Sequence, residues 1–223
     1  MKRLYILCEG QTEEDFVNII LCPYLQNVDV IAIPIICTTK RTPTKKYKGG
    51  VTNFTKIKKE LQRLCGEHHN EMVTTMFDLY AFPYGALDLQ NIPTDVYAKA
   101  EYIEKAITDE IGNKFSNMIF CLVLHEFEGL LFSDVSAFEN IADQETVAVL
   151  RSVRTAVPTP EHINESPETA PSKHIERAIP GYSKVTDGID VAEKIGIDKI
   201  AAECRHFANW LAKLTAWAKE GAQ

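Results

Sequence analysis

Short apolar runs alternate along this chain with stretches whose apolar residues recur at helical spacing, and that alternation limits the fold more than any other feature. The runs lie at about 3–8, 28–33, 72–77 and 118–124, and the helical stretches between them at 13–25, 53–65 and 94–111. The order β-α-β-α-β-α-β with short turns predicts an α/β fold, an open and mostly parallel sheet with helices on both faces. The fourth run is apolar throughout, as a central parallel strand should be. Pro34 puts the second run at or near an edge, because proline cannot donate to a ladder.

Three of these runs deliver an acid, at Glu9, Asp78 and Glu126. In a parallel sheet all carboxyl ends share one edge, and that edge is where α/β proteins bind ligands. One strand-end acid is ordinary. Three on one edge, with Glu13 and Glu128 beside them, mark a candidate cation or acid/base site. After Glu9 the chain turns at Gly10 into a helix, with Thr12 as N-cap and Asp15 three residues on in a weak capping box.

Beyond the fourth run the pattern becomes helical, with short segments near 129–138 and 144–153. The stretch 157–171 carries four prolines and reads as an extended linker or lid. Two helices are expected at about 188–195 and 204–219, the last with Phe207, Trp210, Leu211, Leu214 and Trp217 as a core-packing stripe. The expected division is a core over 1–142 and a helical C-terminal extension over 143–223, its proline-rich linker included, packed on that core.

The formal charge of −7 over 223 residues argues against a surface coated in basic groups. It leaves room for a local one, since binding responds to local potential. Lys40, Arg41, Lys45, Lys46 and Lys48 crowd a polar loop that leaves the second strand. That loop reads equally well as a solvated connection or as a set of phosphate contacts. No apolar stretch is long enough to span a bilayer, so no membrane partner is expected. The six cysteines are scattered, as in proteins of a reducing cytoplasm. Cys65, His68 and His69 lack a second pair at zinc-finger spacing and read as a polar helix end.

The segments Glu9-Gly10-Gln11-Thr12-Glu13, Asp78 and His125-Glu126-Phe127-Glu128 resemble the Toprim-like family called domain of unknown function 4276. So do Pro171-Ser172-Lys173, Gly181-Tyr182-Ser183-Lys184 and Cys204-Arg205-His206-Phe207, and the resemblance spans nearly the whole chain. More distantly the chain is similar to the Toprim domains of overcoming-lysogenization-defect nucleases. The resemblance implies a Toprim-like core that binds Mg2+, or Mn2+, through a glutamate and an Asp-x-Asp pair. Tyr80 stands where the second aspartate of that pair would be.

On that basis Glu9, Glu13, Asp78 and Glu126 are the expected metal ligands, with Glu128 as a further ligand or an orienter. Hard carboxylate oxygens suit magnesium. Lys184, and after it Lys173, are expected to hold the scissile phosphate or protonate the leaving group, while His125 orients a carboxylate or is simply structural. The implied activity is hydrolysis of phosphodiester bonds in DNA or RNA by a defence effector that works with a separate ATPase. The alternative is a non-catalytic module that binds nucleic acid or protein. A phosphatase or nucleotide hydrolase on the same metal site also stays open.

Overall fold

The computed structural model describes residues 1–37, 53–80, 82–87, 89–112, 115–163 and 168–220. Its sheet is built from β1 (Lys2–Cys8), β2 (Val30–Ile36), β3 (Met72–Asp78), β4 (Met118–Ile119) and β5 (Leu122–Val123), and every pairing is parallel. The order is β2-β1-β3-β4, with β5 also on β3. Pro34 therefore sits in an outer strand, opposite Ile6.

Side chains alternate across the pleat and feed two separate cores. Leu4, Ile6 and Cys8 of β1 and Met72 and Met76 of β3 face one of them. Leu7, Val73 and Phe77 face the other, against α3 (Phe54–Glu67) and α4 (Val96–Ile111). Both faces of the sheet are thus covered by helices.

The first core is the larger, and most of its cover comes from after residue 126. It gathers α5 (Phe127–Leu131), α6 (Gln144–Thr155), α7 (Pro171–Ala178), α8 (Asp187–Ile195), α9 (Ile197–Glu203) and α10 (Arg205–Lys219). Trp210 of α10 reaches the sheet itself, its indole N–H donating to Thr74 Oγ1 at 2.9 Å. The helices α7 and α9 were not expected from the sequence. Pro171 starts α7 in the first turn, where its missing N–H costs nothing.

Two further expectations are corrected. The fourth run is not one continuous strand. Its ladder breaks at Phe120 and Cys121, where Thr75 Oγ1 replaces a backbone partner, donating to Cys121 O at 2.7 Å and accepting from Cys121 N–H at 2.8 Å. Thr12 is not the first helix's cap but lies inside it, buried. Gly10 is the N-cap of α1 (Gln11–Phe16), and its N–H donates to Glu13 Oε2 at 2.9 Å. The helix runs on through a π-turn at Val17–Leu21 into α2 (Cys22–Gln26). Cys22 N–H bonds Val17 O there, one residue further back than in an α-helix, beside Pro23, which has no N–H to give.

Part of the stretch expected as a linker is built into the core. Glu161 is buried, and its two carboxylate oxygens accept from His206 N–H at 3.0 Å and Phe207 N–H at 3.1 Å, closing the first turn of α10.

Candidate metal centre at the carboxyl edge

Parallel pairing sends the ends of β1, β3 and β5 to one edge, which carries Glu9, Asp78 and Glu126. Glu9 Oε2 accepts from Asp78 N–H at 3.1 Å and so ties two neighbouring strand ends together. Asp78 Oδ1 accepts from Phe127 N–H at 2.9 Å, the first residue of α5. That bond depends on a sharp reversal at His125, which adopts φ +62°, a left-handed conformation uncommon outside glycine. His125 is buried, and its Nε2 donates to Glu161 O at 3.0 Å.

At the middle of the edge a single ammonium faces three carboxylates. Lys184 Nζ lies 3.2 Å from Glu128 Oε2, 3.3 Å from Asp78 Oδ2 and 3.6 Å from Glu13 Oε1. It also sits 5.8 Å from the centre of the Phe127 ring. Glu128, Glu13 and Asp78 are 2 %, 3 % and 8 % exposed, which separates them from an ordinary solvated acidic patch. Lysine 184 comes from the turn between α7 and α8, and its side chain keeps 32 % of its surface.

The other expected residues stand around this group. Glu126 turns toward the start of α7, where its Oε2 accepts from Ser172 N–H at 3.1 Å. Lys173 points to Glu176, with its Nζ 2.5 Å from Oε2, and not to the three carboxylates. Tyr80 is 39 % exposed, and its N–H bonds His125 O at 3.0 Å. Lys40, Arg41, Lys45, Lys46 and Lys48 lie outside the described residues.

The electrostatics follow from burial and crowding. Burial pushes the Asp78 carboxyl well above the usual carboxylate range, and the charges of Glu13, Glu9 and Glu128 add to it against the pull of Lys184. Glu128 is raised for the same reasons, burial first, with Glu126 as its anionic neighbour. Burial works against the Lys184 charge, but Asp78, Glu128 and Glu13 outweigh it and hold the ammonium firmly protonated.

These donors fit a divalent cation. They are hard oxygens, they already surround one positive charge, and Glu128 Oε2 is buried without a well-directed hydrogen bond. They stand further from that charge than the roughly 2.0–2.1 Å of a magnesium–oxygen bond, so they would have to close in around a metal.

Sequence reasoning did not single out Tyr182 or Ser172 as parts of this site. The Tyr182 hydroxyl is buried with no hydrogen-bond partner among the described residues, and burial together with the Glu128 charge keeps it protonated. Only the fold brings it beside an acid 54 positions earlier, since no local spacing links the two.

A second cluster lies elsewhere. Glu104 of α4, Cys121 and His206 of α10 bring their donor atoms within 4.8 Å of one another, beside a cavity of about 220 Å³. Glu104 Oε1 there already accepts from Leu122 N–H at 2.8 Å and meets His206 Nε2 at 2.8 Å, so the pair satisfies itself.

An open parallel sheet whose carboxyl edge gathers buried acids around one lysine defines the class, an α/β protein with an acidic strand-edge site. The family model for Domain of unknown function (DUF4276) matches residues 8–215, and the chain belongs to that family. Among solved structures it is similar to the C-terminal region of the Burkholderia pseudomallei OLD protein, at 14% identity over 96% of this chain and 99% of that one, with a TM-score of 0.45. It is also similar to the C-terminal region of the Xanthomonas campestris pv. campestris OLD protein, at 16% identity over 95% and 97% of the two chains, with a TM-score of 0.37. No curated protein matches it.

Proposed function

We propose that this chain is a nuclease that hydrolyses phosphodiester bonds in DNA or RNA with Mg2+ or Mn2+, and that it serves as a cytoplasmic defence effector beside a separate ATPase. The observation that carries the reading is the convergence of Glu13, Asp78 and Glu128 on one cation position at the carboxyl edge. The family resemblance supports the activity and the ATPase partner.

Glu13, Asp78 and Glu128 would hold the metal. Glu9 would steady Asp78 through its backbone N–H, and Glu126 would stand behind Glu128. When bound, the cation neutralises charge on the phosphate oxygens and lowers the pKa of a water. The residues do the rest. Lys184, on the open side, meets a phosphate oxygen and stabilises the charge that grows there in the transition state. Lys40, Arg41, Lys45, Lys46 and Lys48 extend the phosphate contacts along the strand, and Lys173 adds to them.

The test is cleavage of DNA and RNA by purified protein with Mg2+ or Mn2+, with and without the ATPase. Asp78→Asn should bring cutting to background while binding persists. Lys184→Ala should slow cutting by about 10²–10³-fold, the usual effect of losing one transition-state contact. Lys45→Ala combined with Lys46→Ala should weaken binding and flatten its salt dependence. Cutting by Asp78→Asn at the wild-type rate would overturn the reading. Tyr80, exposed where an acid is expected, favours a second reading, a nucleic-acid- or protein-binding module without catalysis. Undiminished binding with no cutting under any condition would select it.

A further inference from the structure

We propose that the Lys184 ammonium occupies the cation position of the metal-free protein, so that metal loading and release of Lys184 are a single exchange. The inference rests on the metal-dependent reading above and adds an order of events to it. A cation drawn to the same three oxygens would have to enter the space between them where Nζ now stands, 3.2–3.6 Å from each. Two positive charges cannot share that half-buried space, so one excludes the other.

The geometry also says which partner moves. Backbone donors anchor two of the carboxylates through their other oxygens, Gly10 N–H on Glu13 Oε2 and Phe127 N–H on Asp78 Oδ1, so these can close in but cannot leave the site. Lys184 is held at its tip and enters from a turn on the open side. The turn itself is anchored, with Ser183 N–H bonded to Asp187 Oδ2 at 2.8 Å and Gly188 N–H to Ser183 O at 3.1 Å. A displaced ammonium therefore swings on its own four-carbon stem and stays within a side-chain length of the cation. That is where a phosphate bound to the metal would present its oxygens. The lysine thus offsets part of the charge of three buried carboxylates before loading and becomes free for substrate only once the metal is in place.

The exchange predicts that removing the lysine charge strengthens metal binding. Calorimetric titration with Mn2+ at one pH should give Lys184→Met a Kd at least tenfold below the wild type. Lys105→Met, which removes an equal charge paired with Asp109 on α4, should change the Kd less than twofold. In the wild type, methylation of the Lys184 amine read by mass spectrometry should rise when Mg2+ is saturating. This second measurement needs no variant to fold. Equal Mn2+ affinity in wild type and Lys184→Met, with labelling indifferent to Mg2+, overturns the exchange and leaves the metal reading standing. No Mn2+ binding by either protein overturns both.

Discussion

Glu9 holds structure with one carboxylate oxygen while its charge acts on the Asp78 carboxyl beside it. Its Oε2 joins two strand ends through Asp78 N–H, a bond that a glutamine carbonyl can also accept. Glu9→Gln should therefore fold normally, and if Mg2+ binds as proposed it should lose part of the stabilisation expected for the wild type, about 2.7 kcal/mol at a hundredfold excess over Kd. Differential scanning fluorimetry across a Mg2+ series checks this, and identical responses would contradict it. His206 provides a separate test. Burial pulls its imidazole down, but the hydrogen bond and charge of Glu104, with Glu161 behind, raise it above its usual 6.5. A histidine raised on folding contributes stability that is complete below its unfolded pKa and is lost as pH rises through the folded one. Urea unfolding should thus show the gap between wild type and His206→Gln shrinking from about pH 6 upward. A gap that widens with pH would refute the pairing. The strand-end acids were legible in the sequence because parallel strands must all point one way. Which of Glu126 and Glu128 faces the centre was not, since it turns on Ser172 N–H, 46 positions away.

At the scale of elements, α8 meets the site through a glycine. A Cβ on Gly188 would lie 2.6 Å from Tyr182 Oη, while the ring carbon beneath stays at an ordinary 3.6 Å. Gly188→Ala should then cost about 1–3 kcal/mol by overpacking. Tyr182→Phe removes only the hydroxyl, which has no described partner to lose, and should be close to neutral or stabilising. Together the two changes should be less harmful than their sum, because the second clears the space the first needs. Equilibrium denaturation of the three variants measures the coupling, and strict additivity would show that the contact carries no strain. The elements that sequence reading placed well, such as α3 and α4, are long and periodic. It missed the cap at Gly10 and the break at Cys121 because each is decided by one side chain, Glu13 or Thr75, taking over a backbone bond. Periodicity does not register such substitutions.

Across the whole molecule, the larger core mixes the first strand with the last helix. Leu4, Ile6 and Phe16 share it with Trp210, Leu211 and Leu214, and Lys2 Nζ donates to Trp217 O at the other end of the chain. Ending the chain after Glu203 would strip α10 from that face and leave Thr74 without its indole donor. The shortened protein should show no cooperative unfolding transition by circular dichroism, whereas the full chain should unfold in one step. A sharp transition in the fragment would mean that the sheet is stable with its larger core open. The apolar stripe on α10 was visible in the sequence as a core stripe, but its partner was not, because 136 positions separate Trp210 from Thr74.

The register of the sheet carries one last consequence. Cys8 is opposite Met76, so the acid of β1 comes one residue past the matched pair and the acid of β3 two past it. A strand turns its side chains over at every step. One residue added to β3 ahead of Asp78 would aim the carboxylate into the opposite layer, whereas two would aim it back toward the same side, only a few ångströms further out. The constraint on these strands is thus one of parity more than of length. Even-numbered changes return the Asp78 carboxylate to its present face, and odd ones cannot.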